Sequence, residues 1–279
     1  MARLLVLQSV WGLVGCPGFN VEDDLDAGLE RVVAAGFDGV GVNIARVART
    51  AGVARAMNPR GLAWEGQVLV RDADQLAGYI AEAHRLGAHH LNVQVAGPVA
   101  NLSDALALMD RLIPLAEAAP LPVWFETHRG RLTNDLLFTL RLLEARPGLP
   151  LTGDLSHYPV AGEMELPLRD DQLAAIETIL KNCRNFHGRV STTHQVQVAM
   201  RAPQHAGWLD QHIAWWRRGF EHWLAQAGAD DALTFMCELG PPPYAITGPD
   251  GAELSDRWAE AQDMRDIVRG VWREVNGGD

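Results

Sequence analysis

The sequence predicts a single-domain α/β protein built as a (β/α)8 TIM barrel. Three observations carry that expectation. Short apolar runs alternate with amphipathic stretches about eight times along the 279 residues. Most of these runs are continuously apolar, as strands buried on both faces of a parallel sheet require. The length also suits one closed barrel, which takes about 250 residues, and eight units fit closure better than an open sheet.

The strands are expected over 4–11, 39–44, 62–70, 90–96, 122–127, 151–154, 185–190 and 233–238. Between the first two, Asn20 precedes a stripe of Val21, Leu25, Leu29 and Val32 at helical spacing, stopped by Gly36. The segment 45–58 carries a weaker helical pattern. Asp72 with Gln75 forms a capping box ahead of Leu76, Ile80 and Leu86, and Gly87 ends that helix. Further helices are expected over 103–118, 133–145, 170–182, 207–227 and 255–275. Such alternation implies parallel strands joined by right-handed crossovers. The seventh and eighth units are separated by more chain than a minimal crossover needs. The excess, 191–206, carries Gln195, Gln197, Arg201 and His205. It is expected as an insertion over the barrel mouth, with a surface insertion lacking a role as the alternative.

Composition narrows the function classes. The net charge of −11 is spread along the chain without a block of like charges, which argues against a nucleic-acid partner, whose phosphates demand clustered Lys and Arg. Cys16, Cys183 and Cys237 are few, odd in number and without metal-ligand spacing. They read as reduced thiols of a cytoplasmic protein. The run ending at Cys16 loosely resembles a lipoprotein signal, but it contains Gln8, Ser9 and Trp11 and supplies the first strand. No apolar stretch reaches membrane-spanning length, so no membrane partner is expected.

Active sites of this architecture lie at the C-terminal ends of the strands. Four consecutive strands end in potential metal ligands: Glu126, Asp154, His187 and Glu238. Three carboxylates and one imidazole make an oxygen-rich set suited to one divalent ion, Mn²⁺, Zn²⁺, Co²⁺ or Mg²⁺. Any one of them alone reads more simply as a strand-end polar group satisfied locally. Together they converge beside apolar runs, where mutual repulsion and desolvation are costly and a cation is the simplest remedy. Residues two apart on a strand share a face, so Arg189 accompanies His187 and His128 follows Glu126. His157 lies just past Asp154 as a group supporting the metal or meeting substrate. Arg129 and Arg131 in the following loop could meet an anionic or polyhydroxylated ligand, with solvated loop arginines as the commoner alternative. Gln94 and Asn92 stand near the end of the fourth strand, and Trp11 ends the first, either as an apolar wall or as core. His89 and His90 open the fourth strand at the opposite end and read as structural.

Glu126, the Asp154-Leu-Ser-His157 group, His187-Gly-Arg189 and Glu238 at successive strand ends resemble the xylose-isomerase-like barrel superfamily. The likeness spans nearly the whole chain and is strongest from Pro122 to Tyr244, where Glu-Leu-Gly-Pro-Pro-Pro-Tyr looks like a sugar phosphate isomerase/epimerase branch. The resemblance implies that Glu126 and Glu238 are both metal ligands and the acid/base pair. It implies that Asp154 and His187 complete the metal sphere, and that His157 and Arg189 touch substrate oxygens. The implied activity is that of an isomerase or epimerase acting on a small sugar, sugar phosphate or keto-acid through an enediolate. A metal chelated by a carbonyl and a neighbouring hydroxyl acidifies the C–H between them, and a carboxylate on each face can move the proton.

The segment 191–206 and the His128, Arg129, Arg131 loop depart from better-known members, so no named sugar carries over. A dehydratase or lyase using the same chemistry is an alternative, as is a barrel that binds a metabolite without turning it over. An endonuclease IV-like phosphodiesterase fits less well: the first three strands hold no histidine and the net charge has the wrong sign. Trp208, Trp215, Trp216 and Trp223 recur at helical spacing. They mark either core packing or a homo-oligomer interface.

Overall fold

Each apolar run of the sequence forms one strand of a closed, eight-stranded parallel barrel. The computed structural model describes residues 2–97 and 101–277. The strands are β1 (Arg3–Ser9), β2 (Gly39–Asn43), β3 (Ala63–Val70), β4 (His90–Val95), β5 (Val123–Glu126), β6 (Leu151–Asp154), β7 (Cys183–Gly188) and β8 (Ala232–Cys237). Neighbours follow chain order, and β1 closes the ring on β8 from Arg3↔Ala232 to Gln8↔Cys237. Close approach is built in at Gly39, where a Cβ would lie 1.8 Å from the carbonyl oxygen of Ala63 on β3.

The helices are α1 (Leu25–Ala34), α2 (Val47–Met57), α3 (Ala73–Leu86), α4 (Leu102–Glu117), α5 (Leu136–Ala145), α6 (His157–Ala161), α7 (Asp170–Asn182), α8 (Ala206–Leu224) and α9 (Arg257–Val275). Carboxylates and amides begin most of them: Asp24, Asp72, Asn101, Asp135 and Asp256 each accept a backbone N–H of the first turn. Gly87, at φ 78°, ends α3. The first helix starts later than the apolar stripe suggests. Asn20 instead accepts from the N–H groups of Gly15 and Glu22 in a turn, and Asp24 is the cap. The weakly patterned segment 45–58 is helical, as α2.

The tryptophan stripe of α8 belongs to the core. Trp208, Trp215, Trp216 and Trp223 are all buried, and the Trp216 ring meets Phe235 of β8 edge-on at 5.1 Å. The stripe faces the barrel wall because α8 packs over β7 and against α9. These four side chains are thus packed within the chain itself.

The barrel interior is polar in its middle. Glu65 of β3, His90 of β4, and Asn185 and His187 of β7 are fully or almost fully buried and bonded across the barrel axis. No helix among the described residues is long and apolar enough to cross a membrane.

Candidate active site

Strand geometry sets the site. Glu126 and Asp154 are the last residues of β5 and β6, His187 is next to last on β7, and Glu238 follows the last residue of β8. A ligand atom from each of Glu126, His187 and Glu238 lies within 4.8 Å of the others. His187 spans two carboxylates, with Nδ1 at 3.2 Å from Oε2 of Glu238 and Nε2 at 2.9 Å from Oε1 of Glu65. Glu65 is also held by Nε2 of His90 at 2.7 Å and by Nδ2 of Asn185 at 3.2 Å. Sequence reasoning missed Glu65, and His90 stands behind it rather than serving packing alone. The available signal was a lone glutamate inside a buried strand, which requires partners.

Asp154 is arranged differently. Its Oδ1 accepts from the backbone N–H and the hydroxyl of Ser156 at 3.0 and 2.5 Å. Its Oδ2 faces Nη1 of Arg189 at 3.1 Å and Nε2 of His157 at 3.3 Å. A carboxylate offers about four acceptor positions, so the protein itself fills them. Arg189, also buried, donates through Nη2 to Oε2 of Glu238 at 3.0 Å and through Nε to the Glu238 carbonyl at 2.9 Å. The structure thus gathers three of the four expected ligands and turns Asp154 toward Arg189 and His157.

The electrostatics follow from burial set against these pairs. Burial alone would raise the Asp154 carboxyl, but His157 and Arg189 outweigh it and hold it well below its ordinary value. Burial would lower His187, yet Glu65 and Glu238 raise it well above an ordinary histidine. Glu65, in turn, is lowered to about 2 by His187 and His90 against its desolvation. Glu126 goes the other way. Burial, reinforced by Glu238 and Asp154 and only partly opposed by His187, lifts it to about 7.

The donor set fits a divalent cation at Glu126, Nδ1 of His187 and Glu238. Glu65 on Nε2 supplies the carboxylate partner that orients a metal-bound imidazole. Glu126, His128 and His157 also come within ligand distance of one another. There, however, Nη1 of Arg129 donates to Nδ1 of His157 at 3.1 Å, and a guanidinium on that side opposes a second cation.

The site opens into a cavity of about 320 Å³. Glu238, Arg189, Gln94, His128, Trp11 and Tyr244 line it, together with Arg46, Arg49 and Arg131. Glu126 lies beneath this surface, bonded to Nδ2 of Asn92 at 2.5 Å and to Nε2 of Gln94 at 3.0 and 3.1 Å. Trp11 packs edge-on to Tyr244 at 5.1 Å, and the guanidinium of Arg189 sits 5.0 Å from the Tyr244 ring. Arg129 covers the same ring at 5.4 Å. Sequence reasoning did not assign a role to Tyr244.

No residue of 191–206 lines this cavity. Gln197 pairs twice with the backbone of Gly240 at 2.9 and 2.7 Å, and Arg201 pairs with Asp263 of α9. These bonds hold the segment against the loop after β8 and the outer helix.

No protein-family model matches the chain, and no curated protein matches its sequence. Solved structures do match its fold. A xylose isomerase-like TIM barrel/4-hydroxyphenylpyruvate dioxygenase fusion protein is 15% identical with a TM-score of 0.58; the match covers 98% of this chain but only 43% of the fusion. A protein from Sinorhizobium meliloti 1021 is 14% identical with a TM-score of 0.55, over 94% of this chain and 98% of its own. A xylose isomerase domain protein from Planctomyces limnophilus is 12% identical with a TM-score of 0.55, over 99% and 100%. The closed parallel barrel and these matches give one conclusion about architecture: the chain has the xylose isomerase-like TIM-barrel fold.

Proposed function

We propose that the chain is a divalent-metal-dependent isomerase or epimerase of a small hydroxy-carbonyl compound, a sugar, sugar phosphate or keto-acid. One observation carries the reading: Glu126 and Glu238 converge with His187 beside a cavity that Glu238 lines. Glu126, His187 and Glu238 would hold the metal. When bound, it supplies Lewis-acid polarisation of a carbonyl oxygen and so acidifies the neighbouring C–H.

The chain's own residues do the rest. Glu238 lies open to the cavity between Arg189 and His187 and accepts the proton from carbon. Glu126, bonded to Asn92 and Gln94 beneath the cavity surface, would return one from the other side. Arg189 lines the cavity beside the Trp11 and Tyr244 rings and would meet a substrate oxygen, while His157, buried behind it on Asp154, would act through those two residues. The three buried thiols suit a cytoplasmic setting.

Solvent-deuterium exchange into a panel of ketoses and keto-acids, followed by NMR with metal-supplemented protein, tests this. Exchange in the wild type that disappears in Glu238→Gln supports the reading. Exchange unchanged in that variant, or less than one equivalent of bound metal after supplementation, overturns it.

A further inference from the structure

The cavity lining is rich in arginine, although the chain as a whole is acidic. Arg131 reaches it from the loop after β5. Its Nε donates to Oε1 of Gln94 at 2.9 Å and its Nη1 to the Gly130 carbonyl at 3.1 Å, and no ion pair among the described residues involves it. Arg49 of α2 lines the same wall with a side chain only 16% exposed, and Arg46 stands at the rim. These two share a single carboxylate, Glu22, at 2.9 and 3.3 Å. These three guanidinium groups line one cavity with one carboxylate partner among them, Glu22, which is 41% exposed and does not itself line the cavity. A half-buried arginine fork without an acidic partner is a group set up to take planar or tetrahedral anions bidentately.

We infer that Arg131 and Arg49 bind an anionic group of the substrate, a carboxylate or a phosphate, while the carbon whose proton moves lies at Glu238. The inference deepens the proposed function and rests on it for the reacting end of the molecule. Glu238 and Arg131 line the same cavity, so one small molecule can touch both. Neutral sugars would leave the Arg131 donors without a charged acceptor. An acid or a phosphate ester satisfies them.

The test uses anions that need only this wall. Binding of inorganic phosphate and of acetate to the full-length protein is titrated by calorimetry for the wild type, Arg131→Gln, and the double variant Arg49→Gln/Arg131→Gln. Saturable binding that weakens about tenfold or more in Arg131→Gln, and further in the double variant, supports the inference. Tighter binding of phosphate than acetate assigns a phosphate ester, and the reverse assigns a carboxylic acid. No saturable binding of either anion to the wild type at millimolar concentration overturns the inference, whatever the folding of the variants. So does binding that the Arg131→Gln change leaves unaltered while circular dichroism shows it folded. Deuterium exchange stays the separate readout of the reaction: anion binding without exchange sinks the isomerase reading alone, and exchange without anion binding sinks this inference alone.

Discussion

Glu65 and His187 form an ion pair inside the barrel, Oε1 to Nε2 at 2.9 Å, with both side chains fully buried. The pair fixes which imidazole nitrogen is left for the cavity. With Nε2 committed to Glu65, Nδ1 is the atom directed toward Glu238, and it would take a cation only on giving up its proton. Glu65→Gln should therefore lower divalent-metal affinity roughly 10–100-fold. Competition with a chelator of known affinity measures it. Unchanged affinity in a folded variant would remove Glu65 from any part in metal binding.

Arg189 joins Asp154 and Glu238 through one guanidinium, at 3.1 and 3.0 Å. Arg189→Met should strand two buried carboxylates and cost about 3–5 kcal/mol of stability. Part of that loss should return on adding Mn²⁺ or Zn²⁺, since the freed carboxylates gain a new counter-charge. Urea midpoints with and without metal give the answer. A variant as stable as the wild type would show that these carboxylates are not held by Arg189.

Glu126 trades stability for chemistry. Its carboxyl is raised from 4.5 to about 7 in the folded chain, so folding favours the neutral form. The sign follows: between about pH 4.5 and 7 the unfolded chain gives up this proton first, and the metal-free protein loses stability as pH rises through that window. Glu126→Gln should thus be more stable than the wild type at pH 8, by roughly a few kcal/mol, while losing proton exchange by about 10²–10⁴-fold. Thermal melts at pH 5 and pH 8 check the first half. A variant no more stable than wild type at the higher pH would contradict it.

His212 of α8 sets an acid limit away from the cavity. It is buried among tryptophans, accepts the Ser191 N–H on Nε2 at 3.1 Å, and is lowered by burial to about 4. The folded chain prefers the neutral ring, whereas the unfolded chain protonates near 6.5. Its contribution is therefore intact above that value and is lost as pH falls toward about 4. His212→Gln should flatten the stability–pH curve between those limits. An identical slope in the variant would assign the acid sensitivity elsewhere.

The fold and the strand-end residues were legible because they are local. A continuous apolar run declares a buried strand, and the polar residue that ends it declares the barrel mouth. Glu65 was not, because its partners arrive from β4 and β7, 25 and 122 residues along the chain. The commitment of Asp154 was half visible. Ser156 and His157 lie beside it in sequence, but Arg189 crosses from the next strand. The tryptophan stripe shows the remaining gap: period gives a face, and only packing shows that the face turns inward. For 191–206, length alone could not say which neighbours it would bond.

Chain order divides labour around the cavity. The candidate metal ligands all come from the second half of the barrel, β5 to β8, whereas Trp11, Arg46, Arg49 and the Gln94 that covers Glu126 come from the first. The two sets are stitched together at the carboxylates: Gln67 donates to Glu238 at 3.1 Å, Asn92 and Gln94 donate to Glu126, and Glu65 pairs with His187. Amides of the first half therefore hold the carboxylates of the second, so a change in β3 or β4 would be felt at the reacting groups as well as in what the cavity admits.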